Sequence, residues 1–187
     1  VASSPASAPL PTAASSAAEP APPPPAKAET LRRGLWMWEF DVKGPSAERS
    51  AELAAKWGVY RVFIKGSNGD QGPRWWKNAG EANVEAFTKR GIEVWVFGYF
   101  YAPDVPDQDG KTWGSIADQV DSIAKVAKQK GVKGVVVDAE EEFKDRAKDA
   151  ELLCRSLRLK LKDRSIAYTT YGWLGPNKRF PFKTFDR

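Results

Sequence analysis

The stretch GVVVDAE at residues 134–140 places a short apolar strand directly before two carboxylates. Three consecutive valines are typical of a strand that is covered on both faces. Asp138 and Glu140 are two positions apart, so in an extended chain their side chains leave the same face, about 6.6 Å apart along the strand. Two carboxylates in one cleft raise the pKa of one of them, and glycoside hydrolysis uses such a pair. The alternative is a solvated acidic turn, because Glu141 and Glu142 continue the acidic run.

The same order, an apolar run followed by polar residues, occurs five times along the chain. The apolar runs are 35–40, 60–64, 92–101, 134–137 and 165–171, and amphipathic segments typical of helices lie at 46–57, 80–90, 115–127 and 146–162. Alternating strands and helices predict an α/β fold with a parallel sheet. Polar groups at the end of every strand favour the mouth of a (β/α)8 barrel, whereas an open doubly wound sheet gathers them at one switch point.

The length limits how much of a barrel is present. A complete (β/α)8 barrel needs roughly 250 residues, and this chain has 187. The sequence therefore predicts an incomplete TIM-like barrel of about five parallel strands over residues 31–187.

Composition excludes several classes of chemistry. The chain has no histidine and one cysteine, which rules out Ser-His-Asp catalysis and His- or Cys-ligated metals. We predict no metal and no cofactor, although three carboxylates can bind Ca²⁺ or Mg²⁺ through oxygen. Acidic residues alternate with basic ones within the net charge of +5, so we expect no nucleic-acid partner. No apolar run reaches about 18 residues, so we expect no membrane span.

Residues 1–30 differ in composition from the rest of the chain. Ala, Pro and Ser fill 23 of these 30 positions, and Pro22 to Pro25 are consecutive. This composition predicts a disordered linker. The chain begins with Val1 rather than Met, as a protein does after removal of a secretory signal. We therefore expect a protein that is secreted or lies in the cell envelope, in the bacterial periplasm, outside the cell or on a phage particle.

Two further acids and a polar segment complete the candidates taken from the residues themselves. Asp41 follows the first apolar run and would be a third carboxylate at the barrel mouth, with Glu39 as its neighbour on the same face. Lys65 and Asn68 belong to a segment rich in Gly, Asn and Ser, interpreted as a turn that suits sugar hydroxyls. Its spacing does not match a phosphate-binding loop. Eight tryptophans, most of them at strand ends or in loops, also favour carbohydrate.

The ordered motifs resemble the family 25 glycoside hydrolases, lysozymes that cleave peptidoglycan, and related glycoside-hydrolase-like barrels. The resemblance implies that residues 31–187 are the N-terminal part of such a barrel domain. Asp41 ends the first strand, VFIKGSNG at 62–69 is similar to the family's Lys-x-Thr-Glu-Gly, and GYFY at 98–101 is similar to its Gly-x-Tyr-His-Phe. The Asp-x-Glu pair at 138–140 and AYTTYGW at 167–173 follow in order. Asparagine stands at position 68, where the family usually has glutamate, and tyrosine at position 101, near the family's histidine.

The resemblance implies roles for individual residues. Glu140 would be the general acid, and Asp138 would stabilise an oxocarbenium-like transition state or position the acetamido group of the substrate. Asp41 would support this pair. Four aromatic residues would line the cleft: Tyr99, Tyr101, Tyr171 and Trp173.

These observations predict a glycoside hydrolase that cleaves a cell-wall or related polysaccharide, with peptidoglycan favoured. One alternative is a carbohydrate-binding barrel that has lost hydrolysis. Another is a structural or adaptor domain of a phage particle or cell envelope. The sequence separates these alternatives only through its carboxylates.

Overall fold

The structure is a computed structural model that describes residues 32–41, 44–107 and 109–169. The predicted linker at 1–30 and the predicted cleft residues Tyr171 and Trp173 lie outside these ranges. Five strands and five α-helices alternate: β1 (Arg33–Met37), α1 (Ala47–Lys56), β2 (Val59–Asn68), α2 (Pro73–Asn78), α3 (Glu81–Thr88), β3 (Glu93–Tyr99), α4 (Ile116–Ala127), β4 (Val132–Asp138), α5 (Ala147–Lys160) and β5 (Ser165–Thr169). A short 3-10 helix, Glu141–Phe143, follows β4.

The five strands form one parallel sheet in the order β1-β2-β3-β4-β5. Each strand pairs with the next strand along the chain, as in a barrel, whereas a doubly wound sheet reverses its strand order at a switch point. In the described ranges β1 and β5 are the two edges, and the sheet does not close on itself. The predicted α/β fold, a parallel sheet built like part of a (β/α)8 barrel, is confirmed.

Alternation along the strands separates two faces of the sheet. One face carries fully buried valines and isoleucines such as Ile64, Val96 and Val137, which belong to one apolar core with the helices. The opposite face is aromatic: Trp36 stacks on Phe63 with ring centroids 4.7 Å apart and meets Phe97 edge-on at 4.8 Å. The aromatic face corresponds to the interior of a barrel, and the valine face is the one that the helices cover.

The segment at 65–68 is part of β2 rather than the turn that the sequence predicted. Strand β3 pairs with β2 as far as Asn68, and a register shift between Lys65 and Ser67 accommodates the extra residue. Gly66 fits here because it has no side chain: a Cβ atom would lie 2.7 Å from a methyl carbon of Val126 on α4. Tertiary pairing thus overrides the turn preference of glycine and asparagine.

The beginning of the chain also differs from the sequence prediction. Strand β1 ends at Met37 and not at Phe40, so Asp41 lies four residues beyond the strand. The six-residue helix α2 was not predicted. In the described ranges, none of the helices combines the length and apolarity needed to cross a membrane.

Candidate active site

The register of the sheet aligns the carboxyl ends of three central strands. Asn68 of β2 pairs with Tyr99 of β3, and Tyr99 pairs with Asp138 of β4. The carboxyl ends of barrel strands form the face where catalytic residues are found in TIM-barrel enzymes. The structure therefore places three of the predicted site residues side by side at this end.

Tyr99 joins two carboxylates beyond the end of β4. Its hydroxyl lies 3.3 Å from Glu140 Oε2 and 2.9 and 3.0 Å from the two carboxylate oxygens of Glu142. The hydroxyl carries one hydrogen, so it donates to one carboxylate at a time unless one acid is protonated and donates in return. Burial, followed by the charge of Glu142, raises the pKa of Tyr99. The phenol therefore stays protonated and remains a donor to these acids.

Glu142 was not among the predicted site residues. It entered the prediction only through the alternative of a solvated acidic turn, in which it continues the acidic run. The 3-10 helix Glu141–Phe143 instead turns the chain so that the Glu142 side chain reaches Tyr99. The signal available in the sequence was the spacing of Asp138, Glu140 and Glu142, three acids each two positions apart.

Asp138 is the most strongly perturbed acid of the site. Burial, together with the charges of Glu140 and Glu142, raises the pKa of its carboxyl to about 7, against the opposing charge of the Lys65 ammonium. The sequence predicts such a raised pKa within the carboxylate pair, and here it falls on Asp138. A carboxyl with a pKa near 7 can hold or release a proton at neutral pH, as acid-base catalysis requires.

Lys65 lies beneath aromatic rings rather than at the surface. It is 1% exposed, and its Nζ lies 3.4 Å from the ring centroid of Trp38, 4.7 Å from that of Trp75 and 5.9 Å from that of Tyr99. Burial lowers the pKa of Lys65 to about 8, even though the charge of Asp138 acts in the opposite direction. A buried ammonium among aromatic rings is stabilised by their electron-rich faces. Lys65, predicted to bind substrate, therefore acts on Asp138 through its charge. The ring of Trp38, which is 58% exposed, lies over Lys65.

Asn68 and Tyr101 form a second part of the site. Asn68 Nδ2 donates to the Tyr101 hydroxyl at 3.3 Å, and Tyr101 stacks on Trp113 with ring centroids 4.1 Å apart. Trp113, which was not singled out as a site residue, comes from the long β3–α4 connection and packs on Gly69. A Cβ atom at Gly69 would lie 2.2 Å from that ring. Only a glycine allows this contact, so the loop is fixed against the end of β2.

Glu39 and Asp41 lie to one side of these acids. Glu39 forms a two-pronged ion pair with Arg74 on α2, and this hydrogen bonding lowers the pKa of Glu39. Asp41 is exposed and is not among the charges that shift the pKa of Asp138. The structure thus gathers Asp138, Glu140 and Lys65, while Glu39 and Asp41 line a neighbouring cavity. The described residues contain no group of three or more His, Cys, Asp or Glu arranged to hold a metal ion.

Comparisons with known proteins match the fold and not the sequence. No protein-family model matches this chain, and no curated protein matches it. Among solved structures, a family 39 glycoside hydrolase from the gut symbiont Bacteroides cellulosilyticus matches with a TM-score of 0.53 and 14% identity, over 81% of this chain and 35% of that chain. This chain thus spans about a third of the length of that enzyme.

Two further solved structures match at lower similarity. A candidate α-L-fucosidase from Bacteroides thetaiotaomicron has a TM-score of 0.44 and 12% identity, over 79% of this chain and 57% of that one. A chitinase from Chromobacterium violaceum has a TM-score of 0.42 and 16% identity, over 72% of this chain and 44% of that one. The family 39 match shows that the chain has a glycoside-hydrolase-like fold. Membership of family 25 stays a prediction.

Proposed function

We propose that this chain carries the acid-base site of a glycoside hydrolase that cleaves a polysaccharide. The observation that carries the proposal is the contact of Glu140 and Glu142 with the Tyr99 hydroxyl, next to Asp138, the register partner of Tyr99 at the carboxyl ends of β3 and β4. Glycosidases use two carboxyl groups in different protonation states, one to protonate the leaving oxygen and one that stays ionised. The raised pKa of Asp138 beside a second and a third acid supplies that difference.

In this proposal Asp138 is the carboxyl that can hold or release a proton near neutral pH, and Glu140 is the second carboxyl group beside it. The resemblance assigns the general acid to Glu140, and the electrostatics favour Asp138 as the group that keeps the proton. Tyr99 orients Glu140 and Glu142 through its hydroxyl, and the ammonium of Lys65 favours the ionised form of Asp138. The protonated carboxyl donates its proton to the leaving oxygen as the glycosidic bond breaks, while the ionised carboxylate stabilises the oxocarbenium-like transition state. Water then completes the hydrolysis at the anomeric carbon, and its proton passes to a carboxylate of the site.

Aromatic and amide groups around the acids favour a sugar as the ligand. The exposed ring of Trp38 presents an apolar surface of the kind that packs on the C–H face of a sugar ring. The side chains of Asn68 and Tyr101 provide hydrogen-bonding groups beside it. Peptidoglycan is the favoured polysaccharide, from the resemblance to lysozymes, and this substrate would place the protein outside the cytoplasm, secreted or in the cell envelope.

The test is release of reducing ends from purified peptidoglycan and from chitin oligomers by the 187-residue chain. We expect release that is lost in Glu140→Gln and retained in the matched control Glu85→Gln, which changes an exposed glutamate of α3. Comparing the pH profiles of Asp138→Asn and Glu140→Gln then assigns the acid. Equal activity in Glu140→Gln and the unmodified chain would refute the assignment. Saccharide binding by calorimetry without release would favour the non-catalytic carbohydrate-binding alternative.

A further inference from the structure

A second feature of the structure is a cavity of about 320 Å³ that is separate from the acids at Asp138 and Glu140. It lies between the segment that follows β1 and helix α2. Four charged side chains line it, Glu39, Asp41, Arg74 and Lys77, together with the amide of Asn83. Its volume falls at the lower end of the range of small-molecule sites, about 300–1,000 Å³. A single sugar unit is therefore a suitable size of occupant.

The wall of the cavity is held by Asn78, at the end of α2. Asn78 Oδ1 accepts from the Phe40 backbone N–H at 3.0 Å, and its Nδ2 donates to the carbonyls of Trp38, at 3.0 Å, and Lys65, at 2.9 Å. Asn78 is 6% exposed, so these bonds are shielded from water. One side chain thus ties the segment after β1 to the end of β2. The cavity is a preformed feature of the backbone rather than a gap between loosely packed surface side chains.

The lining offers both donors and acceptors to a ligand. Glu39 is held by Arg74, whereas neither Asp41 nor Lys77 has an ion-pair partner within the described part of the chain. Two acids and two bases give the lining a net charge of zero. The carboxylate of Asp41 would repel a phosphate or a carboxylate ligand, and the ammonium of Lys77 would repel a cation. A neutral ligand rich in hydroxyl groups can accept a hydrogen bond from the Lys77 ammonium and donate one to the Asp41 carboxylate at the same time.

The position of the cavity relates it to the acid site. Strands β1 and β4 are three strand spacings apart, roughly 14 Å along the sheet. Neither Asp138 nor Glu140 is among the residues that line the cavity, so a sugar in the cavity is not the unit at Asp138. Glu39 connects the two places, because its carboxylate lines the cavity and its charge also acts on Lys65.

We infer that this cavity is a further saccharide subsite, which binds a neutral sugar unit of the chain whose scissile bond lies at Asp138 and Glu140. This inference rests on the proposed function. It also gives the bound polysaccharide a direction, from the ends of β3 and β4 towards β1 and α2. Lys77 and Asp41 are the residues that contact this distal unit.

The experiment is calorimetric binding of chitohexaose to the 187-residue chain, to Lys77→Ala and to the matched control Lys56→Ala, an exposed lysine of α1. We expect Lys77→Ala to weaken binding at least fivefold and Lys56→Ala to leave it unchanged. Lys77→Gln, which keeps a hydrogen-bond donor, should restore part of the loss. Affinity should change little between 50 and 500 mM NaCl, as roughly expected for a neutral ligand.

The possible outcomes distinguish failure of the subsite from failure of the proposed function. Unchanged chitohexaose affinity in Lys77→Ala would overturn the subsite while the acid site stands. A strong decrease of affinity with salt would overturn the neutral-sugar assignment. If the unmodified chain binds neither chitohexaose nor a soluble peptidoglycan fragment, the proposed function fails and the subsite fails with it. The unfolding midpoint of each variant, which these exposed substitutions should not move, excludes loss of folding as the cause.

Discussion

Replacing Asp138 by asparagine is expected to stabilise the fold at neutral pH. The folded chain raises the pKa of this carboxyl from 3.8 to about 7, chiefly through burial. The folded state therefore binds the proton more tightly than the unfolded state, and ionised Asp138 destabilises the fold. Asparagine mimics the protonated acid without the charge, so it removes this penalty.

The size of this stabilisation follows from the change in the pKa of Asp138 on folding. A difference of about 3 pKa units corresponds to about 4 kcal/mol at full effect, since each unit is worth about 1.4 kcal/mol. Solvent reaches part of the carboxyl and screens its charge, so we expect about 2 kcal/mol. Because the folded pKa lies above the unfolded one, stability is lost as the pH rises from about 4 to about 7. The advantage of Asp138→Asn should therefore grow across this window and stay constant above it.

The assay is urea unfolding followed by tryptophan fluorescence at pH 5, 6, 7 and 8. The matched control is Asp163→Asn, which changes an exposed aspartate in the turn before β5 and should alter stability little at any of these pH values. The reasoning would be refuted if Asp138→Asn gave no gain at pH 8, or the same gain at pH 5 as at pH 8. Lost carbohydrate turnover combined with higher stability is the expected pattern for an acid held at an active site.

Three further predictions concern the supports of the site. Lys65→Met removes a charge that lowers the pKa of Asp138, so the carboxyl should titrate above about 7 in an NMR titration, and an unchanged value would contradict this. Asn78→Ala removes three buried hydrogen bonds worth about 1 kcal/mol each and should lower the free energy of unfolding by about 3 kcal/mol in urea. Gly66→Ala brings a Cβ atom within 2.7 Å of a valine methyl on α4 and should lower the free energy of unfolding by about 1–3 kcal/mol. In the control Gly44→Ala, the new Cβ atom has no neighbour within 4 Å. Equal thermal midpoints for the two variants would contradict the packing at Gly66.

Local sequence signals were sufficient for most of the architecture. The valines before Asp138 mark a buried strand, and Ser115 with Asp118 marks the start of α4 through the capping box that the structure shows. Gly91 takes a left-handed conformation after α3, as a glycine at a helix end does. These features depend on neighbours within one turn or strand, so the sequence alone displays them.

Features that depend on distant parts of the chain were harder to predict. The strand character of residues 65–68 comes from pairing with β3, which no local pattern encodes. Trp113 reaches the site because a long connection folds back onto Gly69, and Glu142 because a 3-10 helix redirects it to Tyr99. The burial of Lys65 results from rings on three other segments. Residue types therefore pointed to the site, while tertiary contacts set the role of each side chain.

The most direct measurement is a carbon NMR titration of the aspartate carboxyls in the 187-residue chain, with and without a bound saccharide. We predict one carboxyl that titrates near pH 7, that is missing from Asp138→Asn, and that shifts when chitohexaose is added. All aspartates titrating near pH 4, or an Asp138 signal that chitohexaose leaves unmoved, would contradict a carbohydrate-processing site at the ends of β3 and β4.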